Sequence, residues 1–505
     1  MHRQPRRFPE VSPFRFDPTR PKKPAALVLA LTTPGAMAVN GAGQSIAGTA
    51  PSLENKNKMD RISCLPDSIL CDILSCLPTK QAVSTSILSR RWRHVWKDLQ
   101  VFDMDEEQCW KYYDDDEQQH WKYCDDEEQQ ARFDSFVNAI LAQRNADSYP
   151  IQKFRLNCGV VSQEPISTWL DAVSGPHLQE LYLDIRIYNP AMGAITFPQG
   201  VFTCPSLKSL VLKGDININF FDVDVDLPSL KNLKLHCHFA NPQELLSGCP
   251  ALENLELNLQ DRCLHLPEIR MPRTLKSLTF VDYSSLCKGI RLREIYTPSL
   301  EYLNLSIENL FVDMAIEVSV MNFPNMVEAH LSIVGCAENV GWVVLLLHAL
   351  SETKLLALKD LATQCIFRAP GFEFPAFHRL LNLELDLPPF NKSFLLNLLH
   401  NCHVLDRLVV NICTFCCMES EYNGPTPPTM VPNCVTSHLN SFEYTGYRDT
   451  EDDCEFIAYL LQNGLVLKTV TIHFKYKLDQ ATKDYAVRKL SAIPRGSAIC
   501  QLIFI

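Results

Sequence analysis

The stretch Leu-His-Cys-His-Phe places His236 and His238 two residues apart. On a β-strand such a pair projects from one face, close enough for two imidazoles to share a transition-metal ion. A second candidate is Cys-Thr-Phe-Cys-Cys, where Cys413 and Cys416 have the C-x-x-C spacing of half a zinc ribbon. A structural zinc site needs four ligands, and neither stretch is followed by another pair at ribbon distance. The plainer reading holds for both: two polar residues on a strand face, and ordinary buried or loop cysteines. The chain also lacks a Gly-rich phosphate loop and a G-x-S-x-G nucleophile elbow. No catalytic residue, metal or cofactor is assigned, and the chain is read as non-catalytic.

The elements that carry these residues repeat. "PSLKSLVL" (205–212), "PSLKNLKL" (228–235), "PALENLEL" (250–257) and "PSLEYLNL" (298–305) share the core L-x-x-L-x-L. Its first position falls at Ile151, Leu178, Leu207, Leu230, Leu252, Leu275, Leu300, Met326, Leu380, Leu405, Leu439 and Leu467. Spacings run from 22 to 34 residues, except for a gap of 54 after Met326 that leaves room for one degenerate copy near "TKLLAL". This is close to the leucine-rich-repeat period. One repeat cannot bury its own leucines, whereas stacked repeats share a continuous core. Cys204, Cys249 and Cys402 each stand three residues before a first position, which marks them as packing residues.

A chain of 505 residues with 46% hydrophobic content can build a large core. Its net charge of −11 argues against a nucleic-acid partner. The twenty cysteines are scattered, and a core of this size needs no staples, so reduced thiols are expected. Nothing approaches the roughly eighteen consecutive apolar residues of a membrane span. Residues 1–58 are rich in Pro, Ala and Gly without periodicity and read as disordered. Within them, Arg20–Ala38 has the basic, apolar and small-residue order of a secretory signal, but its apolar run breaks at Thr32-Thr33-Pro34-Gly35. Met59 stands directly before the first ordered-looking segment, consistent with a dispensable extension. After about residue 100, Trp110-Lys111-Tyr112 recurs as Trp121-Lys122-Tyr123 amid Asp/Glu/Gln runs, a duplicated and solvated acidic linker. Phe133, Phe136, Val137, Ile140 and Leu141 then share one helix face.

"LPDSILCDILSCLPTKQAVSTSILSRRWRHVW" (Leu65–Trp96) reads as three short helices. Ile69, Leu70, Ile73, Leu74 and Leu77 form a stripe that Pro78 ends. Thr79 is placed to cap a second helix with Val83 and Ile87 inward, and Ser89 a third with Trp92, Val95, Trp96 and Leu99 on one face. About forty residues are too few to fold alone, so this unit packs on the repeats or on another protein. The stretch resembles an F-box in its Leu-Pro start, its "ILSCLPTK" turn and its "SILSRRWRHVW" third helix. Near the other end, "DDCEFIAYLLQNGLVLKTVTI" (452–472) followed by "IPRGS" (493–497) is similar to the FBD domain that closes many plant F-box/leucine-rich-repeat proteins. There, Thr450 is placed to cap a helix with Phe456, Ile457, Leu460 and Leu461 inward, ended by Asn463-Gly464.

The resemblance implies an α/β fold: a leucine-rich-repeat solenoid preceded by a small three-helix F-box (59–100) and closed by an FBD-type α/β cap (435–505). The acidic linker spans 101–130, and the solenoid with its N-terminal cap helix spans 131–434. It implies a substrate-recognition subunit of an SCF-type (Skp–cullin–F-box) ubiquitin ligase, docked on a Skp-type adaptor and through it on cullin and RING subunits. Carried over by position, the adaptor-facing residues are drawn from Leu65, Pro66, Ile69, Leu70, Leu74, Leu77, Val83, Leu88 and Trp92, some of which must instead hold the helices together. Alternation puts Lys208, Lys231, Lys234, His236, Glu253 and Glu256 on the exposed strand positions, where a protein substrate would be met. The expected compartment is nucleus or cytoplasm, with no nucleic acid and no membrane involved. Two alternatives stand beside this reading. One is a repeat protein that binds partners without delivering them for degradation. The other is a secreted repeat protein, favoured by the signal-like segment and by glycan-acceptor tripeptides at Asn304 and Asn391.

Overall fold

Each Pro-small-Leu tetrapeptide folds as a tight turn. The first leucine's backbone N–H donates to the carbonyl three residues back: Leu207 to Cys204 (3.3 Å), Leu230 to Leu227 (3.1 Å), Leu252 to Cys249 (3.2 Å) and Leu300 to Thr297 (3.0 Å). Proline sets the φ that the second turn position requires, which is why the lead-in recurs with the leucines. The computed structural model describes residues 62, 64–106, 126–144, 149–160, 164–187, 195–219, 224–240, 242–259, 269–282, 292–294, 297–308, 323–334, 341–360, 362–363, 366, 372–387, 392–412, 429–475 and 478–505. The signal-like segment, Met59, the Trp-Lys-Tyr duplication, Cys413, Cys416 and Asn391 lie outside the described residues.

After each turn comes a strand, and the strands line up in chain order as one parallel sheet. They are β1 (Val101–Asp105), β2 (Lys153–Val160), β3 (Glu180–Ile187), β4 (Ser209–Asn219), β5 (Asn232–Ala240), β6 (Asn254–Leu259), β7 (Ser277–Asp282) and β8 (Tyr302–Glu308). They continue through β9 (Glu328–Val334), β10 (Leu355–Asp360), β11 (Asn382–Leu387), β12 (Arg407–Ile412), β13 (Ser441–Tyr447), β14 (Thr469–Phe474) and β15 (Gln501–Phe504). Sequential neighbours with parallel pairing mean that every connection crosses back on the same side, which defines a solenoid. The first-position residues from Leu178 to Leu467 are buried in one core, and Ile151 is packed against it. In the long gap the degenerate copy is β10. There Thr353 takes the leucine's place, fully buried, its hydroxyl donating to the carbonyls of Val327 (3.1 Å) and Leu355 (3.0 Å). A hydroxyl misses the leucine pattern, yet it satisfies its own hydrogen bonds and so fits a core position.

The sheet starts earlier than the sequence suggests. β1 pairs with β2 from Val101↔Lys153 to Asp105↔Asn157, so residues 101–105 are the first solenoid strand and not linker. The helix Asp126–Ala142 takes the last five residues assigned to the linker and buries Phe133, Val137 and Ile140. At the other end, β13, β14 and β15 extend the same sheet, so the FBD region is a continuation of the solenoid. The helix Glu451–Asn463 within it is capped by Thr450, whose side chain accepts from the Asp453 N–H, and buries Phe456, Ile457, Leu460 and Leu461.

β4 carries a bulge between Lys213 and Asn217. Gly214 adopts φ +86°, and a Cβ there would stand 2.0 Å from the Ile185 carbonyl oxygen. The backbone of β3 therefore passes where any side chain would be. Gly214→Ala is expected to destabilise the β3–β4 region by at least about 2 kcal/mol, read as lost amide protection there under hydrogen exchange.

Candidate docking surfaces

The N-terminal helices are α1 (Asp67–Leu74), α2 (Thr79–Ser84) and α3 (Trp92–Val95), with one-turn 3₁₀ segments at Thr85–Ile87 and Trp96–Asp98. Two of the caps inferred from sequence are not made: α2 and α3 have no side-chain cap. Thr79 is buried and its hydroxyl accepts from the Asp103 backbone N–H at 2.8 Å, which ties α2 to β1. Arg144 donates to the Leu99 carbonyl (2.7 Å) and lies 4.9 Å over the Phe102 ring. Trp92, Val95, Trp96 and Leu99 join the core that runs into the repeats. Much of the apolar face of this unit is thus buried within the chain, which answers part of the size problem raised by its sequence.

What remains outside is a small rim. Leu70, Leu74 and Trp92, expected among the adaptor-facing residues, are closed inside at 0, 1 and 3% exposure. They hold the helices together. Leu65, Leu77 and Val83 are half-buried against the same core, while Pro66, Ile69 and Leu88 are exposed. Ile87, which spacing placed inward with Val83, is 85% exposed. The cause is local: α2 tightens into a 3₁₀ turn at Thr85, whose hydroxyl donates to the Ala82 carbonyl, and the larger step per residue turns Ile87 away from the stripe. Arg91 ties the start of α1 by donating to the Leu65 carbonyl and to Asp67 (2.7 Å), so residues 65–67 lie beside Arg91. Ile69, Ile87 and Leu88 are therefore the large apolar side chains of this unit that meet water. Large apolar residues left in water beside a sealed core are candidates for burial against a partner.

The second surface is the outward face of the sheet. In-register pairing puts Lys234 opposite Glu256, and the two form an ion pair at 2.6 Å. His236 Nε2 meets the other oxygen of Glu256 at 2.7 Å. Hydrogen bonds from His236 and then Lys234 hold the Glu256 carboxyl down at about 2, against the opposing effect of burial. Three residues earlier, Glu253 bridges Lys231 (3.0 Å) and Lys276 (3.0 Å), and both lower its pKa. Lys208 stands one strand away and donates to Gln179 at 3.1 Å. The structure thus gathers Lys231, Lys234, His236, Glu253 and Glu256 into a ladder in which each charge already has a partner. A ligand would have to compete with those partners, and Lys276 completes a set that sequence reasoning left one member short.

Among the described residues there is no group of three or more His, Cys, Asp or Glu that could hold a metal. No helix of the described residues is long and apolar enough to cross a membrane. The repeat cysteines behave as packing groups: burial pushes the Cys249 thiol up to about 12 and the Cys402 thiol well above its ordinary value. Every described cysteine is a free thiol. Asn304, one glycan-acceptor position, sits within β8 with Thr279 and His330 as lateral neighbours.

Three family models match the chain: the F-box domain over residues 62–103, the leucine-rich repeats of an FBD-associated F-box protein over 166–340, and FBD over 427–472. Curated relatives from Arabidopsis thaliana match over nearly their whole length. An FBD-associated F-box protein is 30% identical over 474 residues, 90% of this chain and 97% of the relative. A second FBD-associated F-box protein is 30% identical over 427 residues, 82% of this chain and 100% of the relative. An F-box/FBD/LRR-repeat protein is 28% identical over 460 residues, 88% of this chain and 100% of the relative. F-box domains in general bind Skp-type adaptors, and this domain order supports a ubiquitin-ligase substrate-adaptor role in general terms. The chain carries an F-box, leucine-rich repeats and an FBD region in one order and aligns with these relatives over nearly their whole length, and it belongs to the family of FBD-associated F-box proteins with leucine-rich repeats.

Proposed function

We propose that this chain is the substrate-recognition subunit of an SCF-type ubiquitin ligase, working in the nucleus or cytoplasm. The rim Pro66–Ile69 and Ile87–Leu88 docks a Skp-type adaptor, which brings cullin and RING subunits. The outward face of the sheet captures a protein substrate. The observation that carries this reading is the rim itself: apolar side chains kept in water on a unit whose other apolar residues are buried or half-buried. The bonds from Thr79 to Asp103 and from Arg144 to Leu99 fix that unit against β1, so a captured substrate is held at a set distance from the adaptor. The contribution is proximity: holding an acceptor lysine near a charged conjugating enzyme raises the effective concentration of the reacting groups without bond chemistry from this chain. Free thiols at the described cysteines agree with a reducing compartment.

The test is calorimetry of the full chain against a purified Skp-type adaptor, followed by assembly with cullin, RING and conjugating enzyme. The expected result is one adaptor bound per chain with a Kd of about 1 μM or tighter. A well-folded chain that binds no adaptor would remove the ligase reading. Adaptor binding without ubiquitin transfer to any captured protein would point to partner binding without degradation.

A further inference from the structure

On the N-terminal half of the outward face the charges are matched within the chain: Lys153 with Glu180, Lys231 and Lys276 with Glu253, Lys234 with Glu256. The row formed by the residue after each first position is polar there, running Gln179, Lys208, Lys231, Glu253, Lys276, Glu301. From β9 onward the row changes to Val327, Lys354, Leu381, Asp406, Asn440, Lys468. Val327 and Leu381 are each 41% exposed. The backbone ladder runs Val327 to Lys354 to Leu381, so the two apolar side chains flank one lysine on adjacent turns. Beside Leu381 opens a cavity of about 450 Å³ whose lining includes Val404, Val466, Asp406, His438 and Asn440.

Along the backbone ladder Lys354 neighbours Leu381 on one side of the lining and Lys468 neighbours Asn440 on the other, and Arg379 stands two residues before Leu381. None of these three cations makes an ion pair among the described residues, although carboxylates elsewhere on the face are bridged by lysines. The carboxylate inside the lining, Asp406, accepts from the Asn440 amide. Glu352 occupies the position of Arg379 one repeat earlier. Solvent-exposed apolar residues at positions that are polar in the preceding repeats, together with unpaired cations, are what a recognition surface requires and a packing surface does not.

We infer that the outward face over β9–β14 is the substrate-recognition surface of this chain, and that it takes an extended segment of a partner protein with one bulky apolar side chain flanked by acidic residues. The apolar side chain enters the cavity against Leu381, Val404 and Val466, and the flanking carboxylates meet Lys354, Arg379 and Lys468. The inference rests on the repeats being the substrate-binding part of the ligase subunit. It moves the contact from the paired Lys231–Glu256 ladder to the half of the solenoid that adjoins the FBD region.

The test uses the full chain and short fluorescein-labelled synthetic peptides, measured by fluorescence anisotropy. One peptide has a central Trp flanked by Glu, a second has the same Trp flanked by Lys, and a third replaces Trp with Ala between Glu flanks. The Glu-flanked Trp peptide is expected to bind at least about tenfold more tightly than either control. Leu381→Glu should lose that binding with unchanged circular dichroism, and Lys354→Glu with Lys468→Glu should shift preference toward the Lys-flanked peptide. Equal binding of the three peptides, or full affinity in Leu381→Glu, overturns the inference. Self-association of the parent that Leu381→Glu abolishes would assign the patch to a second copy and likewise overturn it. Adaptor binding is measured on the same preparations. A chain that binds adaptor but shows no peptide selectivity fails this inference alone, whereas a chain that binds the selected peptide but no adaptor fails the ligase reading alone.

Discussion

Ile87→Asp combined with Leu88→Asp is expected to abolish adaptor binding, a loss of at least about 100-fold or roughly 2.7 kcal/mol, without unfolding the helical unit. Both side chains already face water in the free chain, so the substitutions remove no core contact. In the complex they would place two carboxylates where the partner needs an apolar surface, and a desolvated charge without a partner is strongly unfavourable. Trp92→Ala is expected to lose the same binding by a different route. That indole is buried in the core beside Val95 and Trp96, and its truncation removes packing worth about 3–5 kcal/mol. The two causes separate under hydrogen exchange. Protection over residues 67–99 should persist in the aspartate double variant and collapse in Trp92→Ala. Retained adaptor binding in the double variant would mean that the rim is not the docking surface.

Asp453→Ala is expected to destabilise the FBD region by about 3 kcal/mol. The Asp453 carboxylate is fully buried, with the Tyr444 hydroxyl donating to one oxygen at 2.6 Å and the Arg448 backbone N–H to the other at 3.1 Å. Arg448 Nε approaches at 3.7 Å. Burial, and then the nearby carboxylate charge, push the Tyr444 hydroxyl well above its ordinary range, so it stays a donor. Alanine leaves that hydroxyl and that N–H buried without an acceptor, and removes the Asp453 charge beside the positive end of the helix Glu451–Asn463. Asp453→Asn should be milder, by roughly 1–2 kcal/mol, because its amide can both accept from the N–H and donate to the tyrosine. Repeat arrays need not unfold as one unit, so the measurement is local: loss of amide protection over residues 441–505 with the N-terminal repeats unaffected. Equal effects of Ala and Asn would show that the carboxylate's hydrogen bonds are not what holds this region.

The repeat architecture was legible because its cause is local and recurrent. Leucines at fixed offsets and a proline that presets the turn state the strand, the turn and the buried face together. The helix Glu451–Asn463 was legible for the same reason, with cap, inward face and stop all written within one short stretch. The gap copy at β10 was harder, since Thr353 meets the core through two hydrogen bonds that the sequence does not display.

Sequence alone settled that the chain stacks repeats behind a short helical unit, because each of those features follows from the spacing of apolar residues along a few turns. It did not settle which apolar residues of that unit face out. Leu70 and Ile69 are neighbours of the same type, yet one is sealed and the other meets water, and Ile87 is turned outward by a 3₁₀ step that no spacing announces. Nor could it show that Val101–Asp105 pairs with a strand about fifty residues away, or that Lys231, Lys234, His236, Glu253 and Glu256 neutralise one another. Which residues bury and which charges meet is decided by contacts between segments distant in the chain. Those contacts exist only once the repeats have stacked and fixed the register between their strands.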